Sequence, residues 1–91
     1  MSVDQYVKLV KRIDELIRRK STGTPTQIAL KLGISRRAWY YLLETLTQEY
    51  SFPVAYCRRR QSYYYTDDGK HYDDFFKKLL ERSPPSDNEE S

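Results

Sequence analysis

The sequence predicts a mainly α domain with one small β-hairpin. Three observations lead there. Apolar residues recur three and four apart in four separate stretches, the period drops to two only between Val54 and Thr66, and Gly, Pro, Ser and Thr gather at the joints.

Val3, Tyr6, Val10, Ile13 and Ile17, with Leu9 and Leu16 beside them and Lys8, Lys11, Arg12, Arg18 and Arg19 on the remaining positions, predict an amphipathic helix over about residues 3–20. Ser21-Thr22-Gly23 ends it. Thr24 is a capping residue with Pro25 in the first helical position and Gln27 three residues on, a capping-box pattern, so a short second helix starts there and carries Ile28, Ala29 and Leu32 inward. Gly33 stops that helix by turning left-handed, and Ile34 plugs the corner. Ser35 caps a third helix running from Arg36 to about Tyr50. Trp39, Leu42, Leu43 and Leu46 form its apolar stripe, while Arg36, Arg37, Tyr40, Tyr41 and Glu44 lie on the other face. Val54 to Cys57 and Ser62 to Thr66 read as two strands about a turn centred on Arg59-Arg60, which sets Tyr56 against Tyr63 and Val54 against Tyr65, with Ala55 and Tyr64 on the opposite side. After Asp67-Asp68-Gly69, the residues Tyr72, Phe75, Phe76, Leu79 and Leu80 mark a fourth helix over about residues 70–82. Ser83 to Ser91, with two prolines and no large apolar side chain, read as a disordered acidic tail.

Ninety-one residues hold one core. At that length folding buries only about 60% of the surface exposed by the unfolded chain, which leaves little room for a deep catalytic cleft. No Ser-His-Asp logic, phosphate-binding glycine loop or paired-cysteine metal spacing is present, so an enzyme is not expected, nor a cofactor or a metal. His71 among Asp67, Asp68, Asp73 and Asp74 reads as helix capping and dipole pairing rather than as a ligand set. Cys57 is the one cysteine, which excludes an internal disulfide and suits a reducing compartment. Met1 to Leu9 lacks the apolar run of a signal peptide and no stretch is long enough to span a membrane, so the expected location is the cytoplasm.

The net charge of +3 conceals a separation along the chain. From Lys8 to Arg60 there are twelve basic and four acidic residues, a balance of +8; from Gln61 to Ser91 there are four basic and eight acidic, a balance of −4. The basic part is the one suited to a polyanion.

The stretch from Thr24 to Thr66, with two helices about a glycine turn and then a hairpin, resembles the winged helix-turn-helix DNA-binding domains of bacterial regulators. It is similar to small Bacteroidetes regulators and to the N-terminal domains of the biotin-operon repressor and WYL-domain regulators. The likeness covers roughly residues 3–66 and is most specific in Leu32-Gly33-Ile34-Ser35-Arg36-Arg37 and in the hairpin from Pro53 to Tyr65. It implies a winged helix-turn-helix domain over residues 1–66; beyond it, periodicity gives a C-terminal amphipathic helix over 67–82 for packing or dimerisation and composition gives the acidic tail over 83–91. The likeness also implies that Ala29 lets the motif's first two helices approach, that Ser35, Arg36, Arg37 and Tyr40 touch DNA, and that Trp39 and Leu43 pack on the core. The sequence departs from the pattern at Ala38, Trp39 and Tyr41, where threonine, a smaller aliphatic and arginine are common.

The chemistry of the same residues supports that surface. A helix fits the major groove, its first-turn N–H groups favour phosphate, and the arginine fork of Arg36 or Arg37 can pair twice with guanine O6 and N7. The expected contact set is Thr24 and Thr26 at the start of the second helix, Ser35, Arg36, Arg37, Tyr40 and Tyr41 on the third, and Arg58, Arg59, Arg60 and Tyr64 on the hairpin. Double-stranded DNA is the expected partner, the protein acting in association with the nucleoid as a small transcriptional regulator that represses by occluding a promoter. Bland alternatives stand beside these: Arg58 to Arg60 can keep a sheet edge soluble, Tyr63 and Tyr65 can be packing residues, and winged helices also serve as protein-docking modules or bind single strands. Tyr72, Phe75, Phe76, Leu79 and Leu80 exceed a narrow stripe, and are covered either by the first helix, against Tyr6, Leu9 and Val10, or by a second copy in a two-fold dimer.

Overall fold

A computed structural model describes residues 2–82; the predicted tail lies outside them. Among the described residues the chain is mainly helical, with four helices and a two-stranded antiparallel hairpin, in the order α1 (Val3–Arg18), α2 (Pro25–Leu32), α3 (Arg36–Glu49), β1 (Val54–Cys57), β2 (Ser62–Tyr65) and α4 (His71–Arg82).

Local chemistry sets most of the boundaries. Ser2 and Gln5 form a capping box at the start of α1, and Thr24 and Gln27 form the one expected at α2, where the Gln27 amide donates to Thr24 Oγ1 at 3.2 Å and the Thr24 amide to Gln27 Oε1 at 2.8 Å. Gly33 takes φ 71°, the left-handed conformation that the turn into α3 requires, and Ser35 Oγ accepts from the Ala38 amide at 3.0 Å. The first helix ends two residues earlier than its pattern suggests. Lys20 adopts φ 53°, its amide donates to the Ile17 carbonyl and the Ser21 amide donates to the Leu16 carbonyl, both at 3.0 Å, which closes a Schellman motif with lysine in the place glycine usually takes. The hairpin register pairs Val54 with Tyr65, Ala55 with Tyr64, Tyr56 with Tyr63 and Cys57 with Ser62, the pairing that a turn centred on Arg59-Arg60 demands.

The core gathers Val10, Ile13 and Ile17 of α1, Ile28 and Ala29 of α2, Trp39, Leu42 and Leu46 of α3, Phe52, Tyr63 and Phe75. Trp39 is fully buried, and its indole donates to the Tyr63 hydroxyl at 3.2 Å with the two rings edge-on, their centroids 5.2 Å apart. Val3, read as part of the apolar stripe, is exposed in the first turn of α1.

Helix α4 divides the aromatic set that its sequence presents as one. Phe75 is fully buried between Tyr6, Tyr50 and Phe52, at centroid distances of 5.7, 4.8 and 6.2 Å, and Leu79 is buried one turn on. Tyr72 is half-buried beside Phe75, whereas Phe76 and Leu80 remain 41% and 47% exposed. A dimer face made of all five residues is therefore corrected: Phe75 and Leu79 belong to the protomer's own core. Residues 72, 75 and 79 follow one helical stripe, and Phe76 and Leu80 each stand about 100° further round the axis. No helix among the described residues is long and apolar enough to cross a membrane.

Candidate nucleic-acid interface

The first turns of α2 and α3 contain no acidic residue, so no carboxylate of their own first turns opposes an anion at either N-terminus. Arg36, Arg37, Tyr40 and Tyr41 all project from α3 into solvent, as the spacing of Trp39, Leu42 and Leu46 on the buried stripe requires. The structure brings the two helix starts together through a side-chain contact: Arg36 Nη1 donates to Thr26 Oγ1 at 3.4 Å. Thr24 and Ser35 use their hydroxyl oxygens as caps, so each has an O–H left to donate.

Arg58, Arg59 and Arg60 are exposed at the hairpin tip. Among the described residues, none of these three, nor Arg36 or Arg37, forms an ion pair with a carboxylate. Five arginines thus carry uncompensated charge on two elements. Tyr40 lines a groove between α3 and the inner face of the hairpin, together with Leu43, Glu44, Tyr56 and Tyr63. Tyr64 lies elsewhere, since its position opposite Ala55 turns it to the outer face, where it shares a shallow hollow with Lys20, Cys57, Arg60 and Ser62. The expected contact residues therefore fall into two sets, one at the start of α2 and along α3, the other on the tip and outer face of the hairpin.

The other tyrosines have structural partners. Burial, and then the hydrogen bond to Asp14, hold the Tyr65 phenol far above the usual tyrosine range, and burial also raises Tyr63 and Tyr72. Tyr65 donates to Asp14 Oδ1 at 2.6 Å, Arg18 Nε donates to Asp14 Oδ2 at 3.0 Å, and Arg18 Nη2 reaches the Gly69 carbonyl at 3.2 Å. This network joins α1, β2 and the turn before α4. Its one sign in the sequence is an aspartate, Asp14, beside an apolar stripe. His71 pairs with Asp67 at 2.7 Å, and the Gly69 N–H, then His71, hold the Asp67 carboxyl below its usual range. Among the described residues no three His, Cys, Asp or Glu side chains converge as metal ligands do.

Lys20 is a basic residue outside the expected contact set that stands beside it, at the hollow lined by Arg60 and Tyr64. What places it next to Arg60 is the pairing of Thr22 with Ser62 across forty residues, whose Oγ atoms lie 3.1 Å apart. No protein-family model matches the chain, and neither a curated protein nor a solved structure does.

Proposed function

We propose that this chain is a winged helix-turn-helix domain that binds double-stranded DNA with sequence preference, as a small transcriptional regulator. In this reading α3 enters the major groove, the start of α2 meets phosphate, and the hairpin is the wing on the flanking backbone or minor groove. The observation that carries the reading is the pair of uncompensated arginine clusters. Arg36 and Arg37 extend from the first turn of a helix that follows a tight glycine turn, and Arg58 to Arg60 from the tip of the hairpin that follows that helix. Arginine at a helix start matches guanine edges, and arginine at a hairpin tip matches phosphate. Binding of one protomer across a promoter would occlude it.

The test is a fluorescence-anisotropy titration with duplexes selected from a random pool, repeated over a range of salt. With about four to six phosphates neutralised, log K falls against log salt with a slope of roughly −4 to −5. No duplex binding at low salt would overturn the reading and favour a second one, a protein-docking module, for which the exposed Phe76 and Leu80 on α4 speak.

A further inference from the structure

Among the described residues, the hollow on the outer face of the hairpin is lined by two cations and no carboxylate. Its walls are Lys20, Cys57, Arg60, Ser62 and Tyr64. Its construction follows from the chain. The Schellman turn that closes α1 leaves Lys20 projecting at the corner, and the loop after it is bound to β2: the Thr22 amide donates to Ser62 Oγ at 3.2 Å and the Tyr63 amide to Thr22 Oγ1 at 2.8 Å. Both hydroxyls are thereby engaged in structure, so Lys20, Arg60 and the Tyr64 hydroxyl are the groups left to meet a ligand. Lys20 and Arg60 form no ion pair among the described residues. Asp67 and Asp68 border a second hollow that Lys20 also lines, and among the described residues neither comes within ion-pair distance of its ammonium.

The backbone of Lys20 supplies a second observation. At φ 53° it occupies a position where glycine relieves strain and most side chains add it, yet a lysine stands there. Ser51 and Gln61 take the same left-handed conformation, and what sets Lys20 apart is that its turn holds a long cationic side chain at the edge of a hollow that Arg60 also lines.

We propose that this hollow takes two neighbouring phosphodiester groups of the DNA backbone beyond the segment met by α3, one neutralised by Lys20 and one by Arg60, with Tyr64 supplying a hydrogen-bond donor. The inference rests on the DNA-binding reading and extends it to α1, so the protein grips the duplex on both faces of its hairpin. Only the duplex backbone is required as occupant; no base is read there.

Lys20→Gly separates fold from contact, because glycine relaxes the backbone while removing the ammonium. Its thermal midpoint should equal or exceed that of the wild type. Its salt slope should be shallower by about 0.9, the value of one phosphate, and with an unchanged intercept at 1 M salt that is a loss of about eightfold in K at 0.1 M. The loss should be equal on selected and random duplexes, Lys20→Arg should retain the wild-type slope, and Arg60→Gln combined with Lys20→Gly should lower the slope by about 1.8. Cys57, the one thiol of the chain, provides an independent readout: saturating duplex should slow its alkylation by an uncharged maleimide. A wild-type slope near −4 to −5 that Lys20→Gly leaves unchanged, or an alkylation rate that saturating duplex leaves unchanged, would overturn this inference alone. Absence of duplex binding by the wild type would overturn the DNA-binding reading and this inference with it.

Discussion

Removing one oxygen atom, by Tyr65→Phe, tests whether the hairpin is fastened to α1 by a buried charge. Asp14 is 7% exposed, and its carboxylate receives the Tyr65 hydroxyl on one oxygen at 2.6 Å and Arg18 Nε on the other at 3.0 Å. A hydrogen bond to a charged group contributes about 1.5–3 kcal/mol, and its removal leaves a desolvated oxygen without a donor. The expected destabilisation is therefore about 2 kcal/mol, a fall of roughly 8–16 °C in the midpoint for a domain of this size, at about 4–8 °C per kcal/mol. Urea unfolding at pH 7 measures it. A second arm uses the phenol's titration. The folded protein holds the Tyr65 proton more tightly than the unfolded chain, whose tyrosines titrate near pH ~10, so this contribution is complete below that pH and is lost as pH rises above it. The gap between wild type and Tyr65→Phe should narrow progressively above pH ~10. A difference below about 0.5 kcal/mol at pH 7 with an unchanged m-value, or a gap indifferent to alkaline pH, would refute the buried-charge account.

The arginine clusters should divide their labour: Arg36→Ala or Arg37→Ala should cost about 1–3 kcal/mol on the best duplex and relax base preference, whereas Arg58→Ala, Arg59→Ala or Arg60→Ala should weaken all duplexes evenly and flatten the salt slope. Competition titrations against random duplex decide it, and equal losses on both duplexes for the α3 variants would show that α3 reads no bases. On α4, Phe75→Ala should cost about 3–5 kcal/mol, enough to unfold much of the population in thermal melts. Phe76→Glu with Leu80→Lys should melt within about 0.5 kcal/mol of the wild type, since both side chains are exposed, and a larger loss would mean that the fold depends on this face. Sedimentation equilibrium of the wild type then tests self-association through those two residues: a mass near 10.9 kDa without DNA shows no pre-formed dimer.

What was legible in the sequence is what neighbours within four residues decide. Thr24 with Gln27, Gly33 and Ser35 each satisfy backbone groups beside them, so the junctions of α2 and α3 follow from residue type. The register of Tyr56 with Tyr63 follows from the symmetry of a four-residue connection about Arg59-Arg60. The exposure of Arg36, Arg37, Tyr40 and Tyr41 follows from the helical period once Trp39 is buried. What escaped depends on partners far along the chain. Asp14 looks misplaced on a buried stripe until Tyr65, fifty-one residues on, is brought to it. The end of α1 depends on whether a lysine accepts a left-handed backbone, which propensity disfavours and the closing bonds to Leu16 and Ile17 enforce. The division of α4 between Phe75 and Phe76 is a matter of 100° of rotation, and the sequence does not say which of two adjacent phenylalanines faces α1.

Four of the nine tyrosines that mark the composition lie on the hairpin, and two of them, Tyr63 and Tyr65, explain how it is held. A lone two-stranded ribbon is marginal in water, and one with three arginines at its tip adds like-charge repulsion. This ribbon is held at three places. Trp39 binds the Tyr63 hydroxyl, Asp14 binds the Tyr65 hydroxyl, and Thr22 takes the Tyr63 amide, a hydroxyl serving where a third strand would otherwise supply the acceptor. Phenylalanine at 63 or 65 would pack as well but would leave the indole N–H or the buried carboxylate short of a partner; tyrosine offers both an apolar body and a polar tip. Three attachments that do not lie on one line define the orientation of a body. The arginines at its tip are then presented in one direction relative to α3, and the entropy of ordering them falls on folding rather than on binding.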